Sequence, residues 1–245
     1  MSNSTIKNTP PVGGRGASIG LFGGSFNPVH NAHVALALMI REQVGLDEVW
    51  FLVSPQNPFK TKSTDLADEQ MRFEMTRLAL RRYRRLKASD YEFHLPRPSY
   101  TWNTLQHLRA DFPDDTFYII IGADNWVAFD RWAHAEDILR EYKIIVYPRE
   151  NCPIDEASLP ANVTLVKTPL INITSTMIRE ALGKGQDVSS YVNPNVLRFI
   201  KKYALFAHTV KSSYLCIVNE KQRPQTWFCN IGIIHRLIRL FRLVE

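Results

Sequence analysis

Short apolar runs alternating with longer helical patterns constrain the fold of this chain more than any other feature. The clearest run, TFYIIIG (Thr116–Gly122), predicts a buried strand. Four similar apolar runs predict further buried strands: SIGLF (18–22), EVWFLVS (48–54), KIIVY (143–147) and VTLVK (163–167). Strands that alternate with helices predict an α/β fold, a Rossmann-like doubly wound parallel sheet with helices on both faces.

Helices are expected between and after these strands. The segments are 31–44, 68–87, 100–112, 135–142, 175–182 and 193–203. The segment 68–87 reads as a single helix, with Met71, Met75, Leu78 and Leu80 facing inward and its arginines outward. The last two segments predict helices at the C-terminal end of the domain.

The length and the composition limit the domain organisation. A chain of 245 residues can form one large domain. We predict a single domain over 18–207, a flexible leader over 1–17 that is rich in Pro, Gly and Ser, and an extension over 208–245 of unknown role. Three well-separated cysteines favour a reducing cytoplasm over a disulfide framework. No apolar run approaches the roughly 20 residues of a membrane-spanning helix, so no stable membrane insertion is expected.

Basic residues leave several partners open. The net charge of +6 suits an anionic small molecule as well as a nucleic acid. The run RLALRRYRRLK (77–87) fits either a nucleic-acid patch or the solvated face of a helix, and the second is preferred. The segment IGIIHRLIRLFRLVE (231–245) is basic and amphipathic, a pattern compatible with a membrane surface, a partner helix or packing onto the domain. The oligomeric state stays open, and a homo-oligomer is compatible with the sequence.

The stretch GGSFNPVHNAH (23–33), called here the first signature segment, follows the first expected strand. In parallel α/β sheets ligands bind at the carboxyl ends of strands, where the strand order reverses. GADNW (122–126) falls at a second expected strand end. The pair His30 and His33 is open to three interpretations: metal ligands, donors to a phosphate, or helix capping and packing. No nearby Cys, Asp or Glu completes a metal site, so none is predicted.

The first signature segment resembles the G-G-[ST]-F-[DN]-P-x-H-x-[GA]-H motif of the nucleotidyltransferase superfamily. INITSTMIRE (171–180), the second signature segment, resembles the same superfamily's I-S-S-T-x-x-R, with Thr174 in place of the first serine. Two matched motifs in the expected order are far more specific than either motif alone. Asn27 stands where many members carry aspartate, so no metal role is assigned to it.

Three further stretches resemble the bacterial nicotinate-mononucleotide adenylyltransferases. RPSYTWNTL (97–105) is similar to their P-S-Y-T-x-x-T-L segment, IIIGADNWVAFDRW (119–132) to their strand-end G-A-D and following tryptophan, and SPQNPFK (54–60) to a loop with a basic residue. The resemblance implies that ATP and nicotinate mononucleotide are the substrates, with Mg²⁺ accompanying ATP, and that deamido-NAD and pyrophosphate are the products. Another acceptor, nicotinamide mononucleotide or phosphopantetheine, is the alternative, and a basic nucleic-acid-binding protein is a more distant one.

The resemblance also implies residue roles. His30, His33 and Arg179 are the expected catalytic residues, because they contact the phosphates that react. The expected ATP and phosphate contacts are Gly23, Gly24, Ser25, Phe26, Lys60, Asp124, Ser175 and Thr176. The nicotinate mononucleotide contacts are Thr101, Trp102, Trp132 and Ala133, with Trp132 stacking on the pyridine ring. The residues alone also allow Lys60 as a solvated lysine, Asp124 as a helix cap, Arg179 as a surface arginine and Trp132 as a core side chain.

Overall fold

The computed structural model describes residues 16–55 and 66–206, and a single parallel sheet of six strands runs through them. The strands lie in the order β3-β2-β1-β4-β5-β6. Their bounds are β1 (Ser18–Gly24), β2 (Glu48–Val53), β3 (Leu86–Ser89), β4 (Thr116–Gly122), β5 (Lys143–Tyr147) and β6 (Val163–Leu165). The predicted doubly wound sheet is confirmed. Lys60, the leader up to residue 15 and the C-terminal extension lie outside the described residues.

Seven α-helices cover the sheet in the described residues. They are α1 (Asn31–Val44), α2 (Glu69–Leu80), α3 (Thr101–Asp111), α4 (Ala123–Val127), α5 (Ala135–Glu141), α6 (Ser175–Gly183) and α7 (Pro194–Lys202). One apolar cluster packs α1, α2, α6 and α7 on one face of the sheet, and a second cluster packs α3, α4 and α5 on the other. None of the helices in the described part of the chain is long and apolar enough to cross a membrane.

Local sequence explains where several helices begin and end. Asp68 caps α2 by accepting a hydrogen bond from the backbone N–H of Gln70 at 2.9 Å, and Asn193 caps α7 in the same way. Gly45 ends α1 with a φ of 76°, a left-handed conformation that glycine adopts without a steric penalty. These signals are readable in the sequence, which is why the bounds of α1 and α7 match the prediction closely.

The prediction of one helix over 68–87 is wrong in its second half. The helix ends at Leu80, and Leu86 begins the edge strand β3, which pairs with β2. Arginine is a good helix former, so the run 81–85 favours a longer helix by propensity alone. Backbone pairing overrides that preference, since the N–H of Val49 in β2 donates to the carbonyl of Arg85 at 2.9 Å.

Two further predictions about local structure also need correction. Arg72 does not face outward with the other arginines of α2, because its side chain is only 1% exposed and reaches backbone carbonyls inside the protein. The strand β1 runs through Gly23 and Gly24, which the sequence suggested were part of a turn. The chain therefore turns after Gly24, and the residues of the first signature segment that follow lie directly above the end of the strand.

The strand order reverses between β1 and β4, which pair in parallel. Their carboxyl ends, at Gly24 and Gly122, therefore lie side by side. Ligands of doubly wound sheets bind at this position, because the chain leaves the two strands toward opposite faces and opens a crevice between them. The first signature segment and the GADNW stretch both start here, as predicted.

Candidate active site

Both signature segments meet at the end of β1. The hydroxyl of Ser175 donates to the carbonyl of Pro28 at 2.9 Å, and Nη1 of Arg179 donates to the carbonyl of Asn27 at 2.9 Å. Segments far apart in the sequence thus form one side of the crevice. Thr174 caps α6, its hydroxyl accepting from the N–H of Met177 at 3.2 Å, so the capping interpretation holds for the helix start. The interpretation of Arg179 as a free surface side chain is wrong.

Thr176 and Arg179 lie together on the first turns of α6. Nη2 of Arg179 approaches the hydroxyl of Thr176 at 3.4 Å, while Nη1 holds the first signature segment. Thr176 is exposed and Arg179 is half-buried, so both side chains border the solvent side of the crevice. A guanidinium in this position can grip two oxygens of an anion, and the N-terminus of α6 adds a favourable dipole.

The backbone amides of Ser25 and Phe26 follow the end of β1 directly. Phe26 has a φ of 45°, and its ring packs beneath Gly24, where a Cβ atom would lie 3.0 Å from the ring. No described residue accepts a hydrogen bond from the N–H of Ser25 or of Phe26. Unpaired amides that follow one another at a strand end suit an anion, as expected for the phosphate contacts Gly23, Gly24, Ser25 and Phe26.

The two histidines stack on each other at the start of α1. Their ring centroids lie 3.7 Å apart, and the backbone N–H of His30 donates to Nδ1 of His33 at 3.3 Å. An Nδ1 that accepts a hydrogen bond leaves the ring hydrogen of a neutral His33 on Nε2, an assignment made from this hydrogen bond. His33 also packs edge-on against Phe26, with 5.2 Å between the ring centroids. The pair thus takes part in helix capping and packing, and at the same time stands beside the unpaired amides.

His30 is kept in its neutral form. Burial lowers its pKa well below the usual 6.5, and the neighbouring His33 and Arg149 lower it further through like-charge repulsion. The side chain is 4% exposed, and its Nδ1 has no hydrogen-bond partner among the described residues. A buried polar atom left without a partner is costly, which is consistent with a site that a ligand or water completes.

Arg149 is a site residue that the sequence analysis missed. It follows β5, its Nε donates to Oδ1 of Asp124 at 3.3 Å, and its guanidinium lies 5.8 Å from the centre of the Tyr147 ring. Asp124 therefore pairs with a cation instead of capping a helix, since Gly122 occupies the cap position of α4. The charge repulsion between Arg149 and His30 could not be read from the sequence, because only the parallel pairing of β4 with β5 brings them together.

Two aromatic groups pack against the second apolar cluster, and we call them the aromatic end of the candidate site. The ring of Trp102, in the first turn of α3, stacks on His134 with 5.3 Å between the centroids. Because His134 follows Ala133 directly, this stack joins the two elements expected to hold nicotinate mononucleotide. Trp132 is half-buried and packs against Phe129 at 5.3 Å, so it is neither a core side chain nor fully exposed. No described residue accepts from the backbone N–H of Trp102 or of Ala133, as a carboxylate-binding role requires.

Glu92 is buried against Thr104 of α3 and was also missed by the sequence analysis. It is 7% exposed, and burial raises its pKa to about 7. The hydroxyl of Thr104 donates to Oε1 at 3.1 Å. The hydroxyls of Ser54 and Ser99 are near enough to favour the charged form, but Oε2 accepts no hydrogen bond from the described residues. The three hydroxyl groups surround Glu92 in space and not in the sequence. No local sequence pattern therefore distinguishes Glu92 from a surface glutamate.

The described residues contain no cluster of three or more His, Cys, Asp or Glu side chains placed to hold a metal ion. Asp124, an acidic side chain at the end of β4, is already paired with Arg149.

Comparison with known proteins gives a consistent assignment. The cytidylyltransferase-like family matches residues 21–181. A protein of Bacteroides fragilis named "Probable nicotinate-nucleotide adenylyltransferase" is 46% identical over 197 residues, which are 80% of this chain and 96% of that protein. A protein of the same name from Bacteroides thetaiotaomicron is 48% identical over 184 residues, 75% of this chain and 91% of that one.

A solved structure shares the fold. The nicotinic acid mononucleotide adenylyltransferase of Plasmodium falciparum, complexed with NaAD, superposes with a TM-score of 0.67 at 24% identity, over 78% of this chain and 97% of that chain. The family match, the near full-length relatives and the shared sheet agree. The chain belongs to the cytidylyltransferase-like family and, within it, to the nicotinate-nucleotide adenylyltransferases.

Proposed function

We propose that this chain transfers the adenylyl group of ATP to nicotinate mononucleotide and releases pyrophosphate. The observation that carries the proposal is the contact between the two signature segments at the switch point, through Arg179 with Asn27 and Ser175 with Pro28. That contact places a cation, unpaired amides and a helix N-terminus around one crevice. Relatives that are 46% and 48% identical carry the name of this activity.

The reaction makes modest chemical demands on the protein. A phosphate oxygen of nicotinate mononucleotide attacks the α-phosphorus of ATP, a new P–O bond forms, and the bond from the α-phosphorus to the bridging oxygen breaks as pyrophosphate leaves. The nucleophile is already an anion at neutral pH, so no general base is needed. Catalysis then consists of holding two anions in line and stabilising the charge that develops on the leaving group.

The phosphate groups are expected to lie against the amides of Ser25 and Phe26, with Arg179 on the outer side. Amide donors that face the developing charge are already fixed before the reaction and need no reorganisation. His33, with its ring hydrogen on Nε2, and the neutral His30 would add N–H donors to the same oxygens. Thr176 and Ser175 lie at the N-terminus of α6, where a phosphate is favoured.

Mg²⁺ is proposed to enter with ATP, bound to the phosphate oxygens of the substrate. When bound it neutralises the charge of the leaving pyrophosphate. The only acidic group of the crevice edge named above, Asp124, pairs with Arg149 and would at most orient a water molecule or the ribose. Lys60 is kept as a candidate phosphate contact from the opposite loop.

The acceptor is proposed to bind at the aromatic end of the candidate site. Trp132 offers a flat face for the pyridine ring, and the amides of Trp102 and Ala133, which have no acceptor among the described residues, would donate to its carboxylate. Thr101, in the first turn of α3, is half-buried beside them. A carboxylate satisfies these donors better than the carboxamide of nicotinamide mononucleotide, whose NH₂ group would oppose one of them.

The decisive experiment measures pyrophosphate release from ATP and Mg²⁺ with one acceptor at a time. Nicotinate mononucleotide, nicotinamide mononucleotide and phosphopantetheine are offered separately, and we expect the highest kcat/KM with the first. No release with either pyridine nucleotide would refute the proposal, and release with phosphopantetheine alone would assign a different acceptor. His30→Ala should lower kcat by about 10² or more, as for loss of a transition-state donor. His107→Ala, an exposed histidine on α3, is the matched control and should leave kcat unchanged.

A further inference from the structure

The buried guanidinium of Arg72 makes an unusual set of contacts below the first signature segment. Its Nε donates to the carbonyl of Ala67 at 2.8 Å, and its Nη1 donates to the carbonyls of Ser25 at 2.8 Å and Ser54 at 2.7 Å. Its Nη2 donates to the carbonyl of Pro55 at 3.2 Å. All four acceptors are backbone carbonyls, and no carboxylate of the described residues forms an ion pair with this side chain.

The contact with Ser25 fixes the orientation of the next amide. The Ser25–Phe26 peptide bond is trans, since the cis bonds of the described residues are Asn27–Pro28 and Arg97–Pro98. A trans peptide bond holds its carbonyl oxygen and its N–H on opposite sides. A carbonyl of Ser25 that points down to Arg72 therefore directs the N–H of Phe26 away from Arg72, toward the crevice.

The preceding peptide unit, Gly24–Ser25, is held in the same orientation by a different partner. The carbonyl of Gly24 accepts from the backbone N–H of Ser54 at 2.9 Å, so the N–H of Ser25 also points away. Arg72 contacts the carbonyl of Ser54 as well, and so holds the strand end that holds Gly24. One side chain thus supports both unpaired amides, directly at Phe26 and through Ser54 at Ser25.

Arg72 also holds the described residues on either side of the segment 56–65. Pro55 directly precedes that segment and Ala67 follows it closely, and both of their carbonyls accept hydrogen bonds from the same guanidinium. The N–H of Ala67 in turn donates to Oδ1 of Asn27 in the first signature segment at 3.1 Å. The described residues that flank this segment are therefore tied to the backbone of the first signature segment.

We propose that Arg72 is a positioning residue for adenylyl transfer, which orients the amides of Ser25 and Phe26 toward the ATP phosphates. The inference rests on the proposed function for its role in turnover, but the amide orientation concerns anion binding alone. Arginine suits this position because its planar fork reaches four carbonyls, whereas the ammonium of a lysine offers three donors from a single atom.

The variants Arg72→Lys and Arg72→Met test the proposal, with Arg77→Met as the matched control. Arg77 lies on the same helix, but it is exposed and paired with Glu74. Thermal unfolding identifies the variants that fold, and calorimetry gives the Kd for pyrophosphate and for ATP without acceptor. We expect the Kd for ATP to rise about tenfold or more and kcat to fall about 10- to 100-fold in Arg72→Lys, as for a displaced donor. The KM for nicotinate mononucleotide should change less than about twofold, because no contact of Arg72 reaches the aromatic end.

A purely structural role predicts a different result. It lowers the melting temperature and the active fraction, while the folded enzyme keeps its ATP affinity and kcat, and that outcome in Arg72→Lys would overturn the proposal. An equal loss of affinity for both substrates would overturn it too. Arg77→Met should match the wild-type protein in every measurement.

A measurement on the unaltered protein covers the case in which both variants fail to fold. In protein labelled with ¹⁵N-phenylalanine, addition of pyrophosphate should shift the amide resonance of Phe26, which Phe26→Leu identifies by its disappearance. No shift at saturating pyrophosphate would refute the orientation. A shift in a protein that forms no dinucleotide from nicotinate mononucleotide would retain the Arg72 inference and refute the proposed function instead.

Discussion

Glu92→Gln is expected to change how the stability of this protein depends on pH. Glu92 is 7% exposed, and the side chains that reach its carboxyl are the hydroxyls of Thr104, Ser54 and Ser99. Burial without a cation penalises the charged form, so the pKa rises from 4.5 to about 7. Glutamine has the same shape as a protonated glutamate and removes this one titration.

The sign and size of the effect follow from proton linkage. Between pH 4.5 and about pH 7 the folded chain binds a proton at Glu92 that the unfolded chain has released, so the free energy of unfolding falls as pH rises. The stabilisation by the neutral carboxyl is complete below the unfolded pKa of 4.5 and is lost as pH passes the folded pKa. A difference of about 2.5 pH units corresponds to about 3 kcal/mol, a large part of the total stability of a domain.

Chemical denaturation of the wild-type protein and of Glu92→Gln, measured from pH 4.5 to pH 8.5, tests this directly. We expect the free energy of unfolding of the variant to rise relative to that of the wild-type protein by about 3 kcal/mol over that range. Nearly all of this change should occur between pH 5 and pH 7.5. His30 acts in the opposite direction, because its pKa is lowered and the stability it supports is lost as pH falls. That contribution is common to both proteins and cancels in the difference.

Glu42→Gln on α1 provides the control, since Glu42 is exposed. Its stability difference from the wild-type protein should not vary with pH. The reasoning about Glu92 is refuted if the Glu92→Gln difference is equally flat, because the carboxyl would then titrate alike in the folded and unfolded chains.

Two further substitutions test the two ends of the candidate site. Trp132→Ala should raise the KM for nicotinate mononucleotide about tenfold and leave the KM for ATP within about twofold, because stacking on an aromatic face is worth about 1 kcal/mol or more; equal effects on both substrates would argue against a stacking role. Gly122→Ala would place a Cβ 2.3 Å from Oδ1 of Asp124, so Asp124 must move from Arg149, and we expect a raised KM for ATP with a stability loss of only about 1 kcal/mol. An unchanged KM for ATP would show that the Asp124–Arg149 pair is not needed for binding.

The sequence predicted the sheet because its strands carry local signals, and it assigned both signature segments to one site only through their resemblance to a family. Apolar runs identified five of the strands, and glycine at 45 and asparagine at 193 marked helix ends. The strand β3 was missed because Leu86–Ser89 is a short edge strand next to a run of arginines. Its pairing with β2 is a tertiary contact, and no pattern within the segment reports it.

Some residues of the candidate site were predicted from the sequence and others were missed, for a related reason. His30, His33 and Arg179 belong to motifs, so their resemblance to a family identified them. Arg72 and Glu92 lie in segments whose periodicity indicates only a helix and a loop, and their roles arise from burial and from partners distant in the sequence. A buried charge is detectable only when the fold shows what surrounds it. The buried residues beneath the candidate site were therefore missed, while the ligand contacts assigned to the motif residues stay predictions.

The charges of the crevice divide between groups that titrate and groups that do not. Two anionic substrates must approach each other here, which requires positive charge, yet the pKa of His30 is lowered by its burial and by Arg149. An imidazolium at His30 would have to be charged beside a second histidine and a guanidinium, so the ring of His30 is kept neutral. Arginine stays protonated at any physiological pH, and Arg149 and Arg179 border the crevice while Arg72 lies beneath it. The positive field that the phosphates meet therefore comes from guanidinium groups and oriented amides, and it stays constant over the pH range in which His30 and Glu92 would titrate in the unfolded chain.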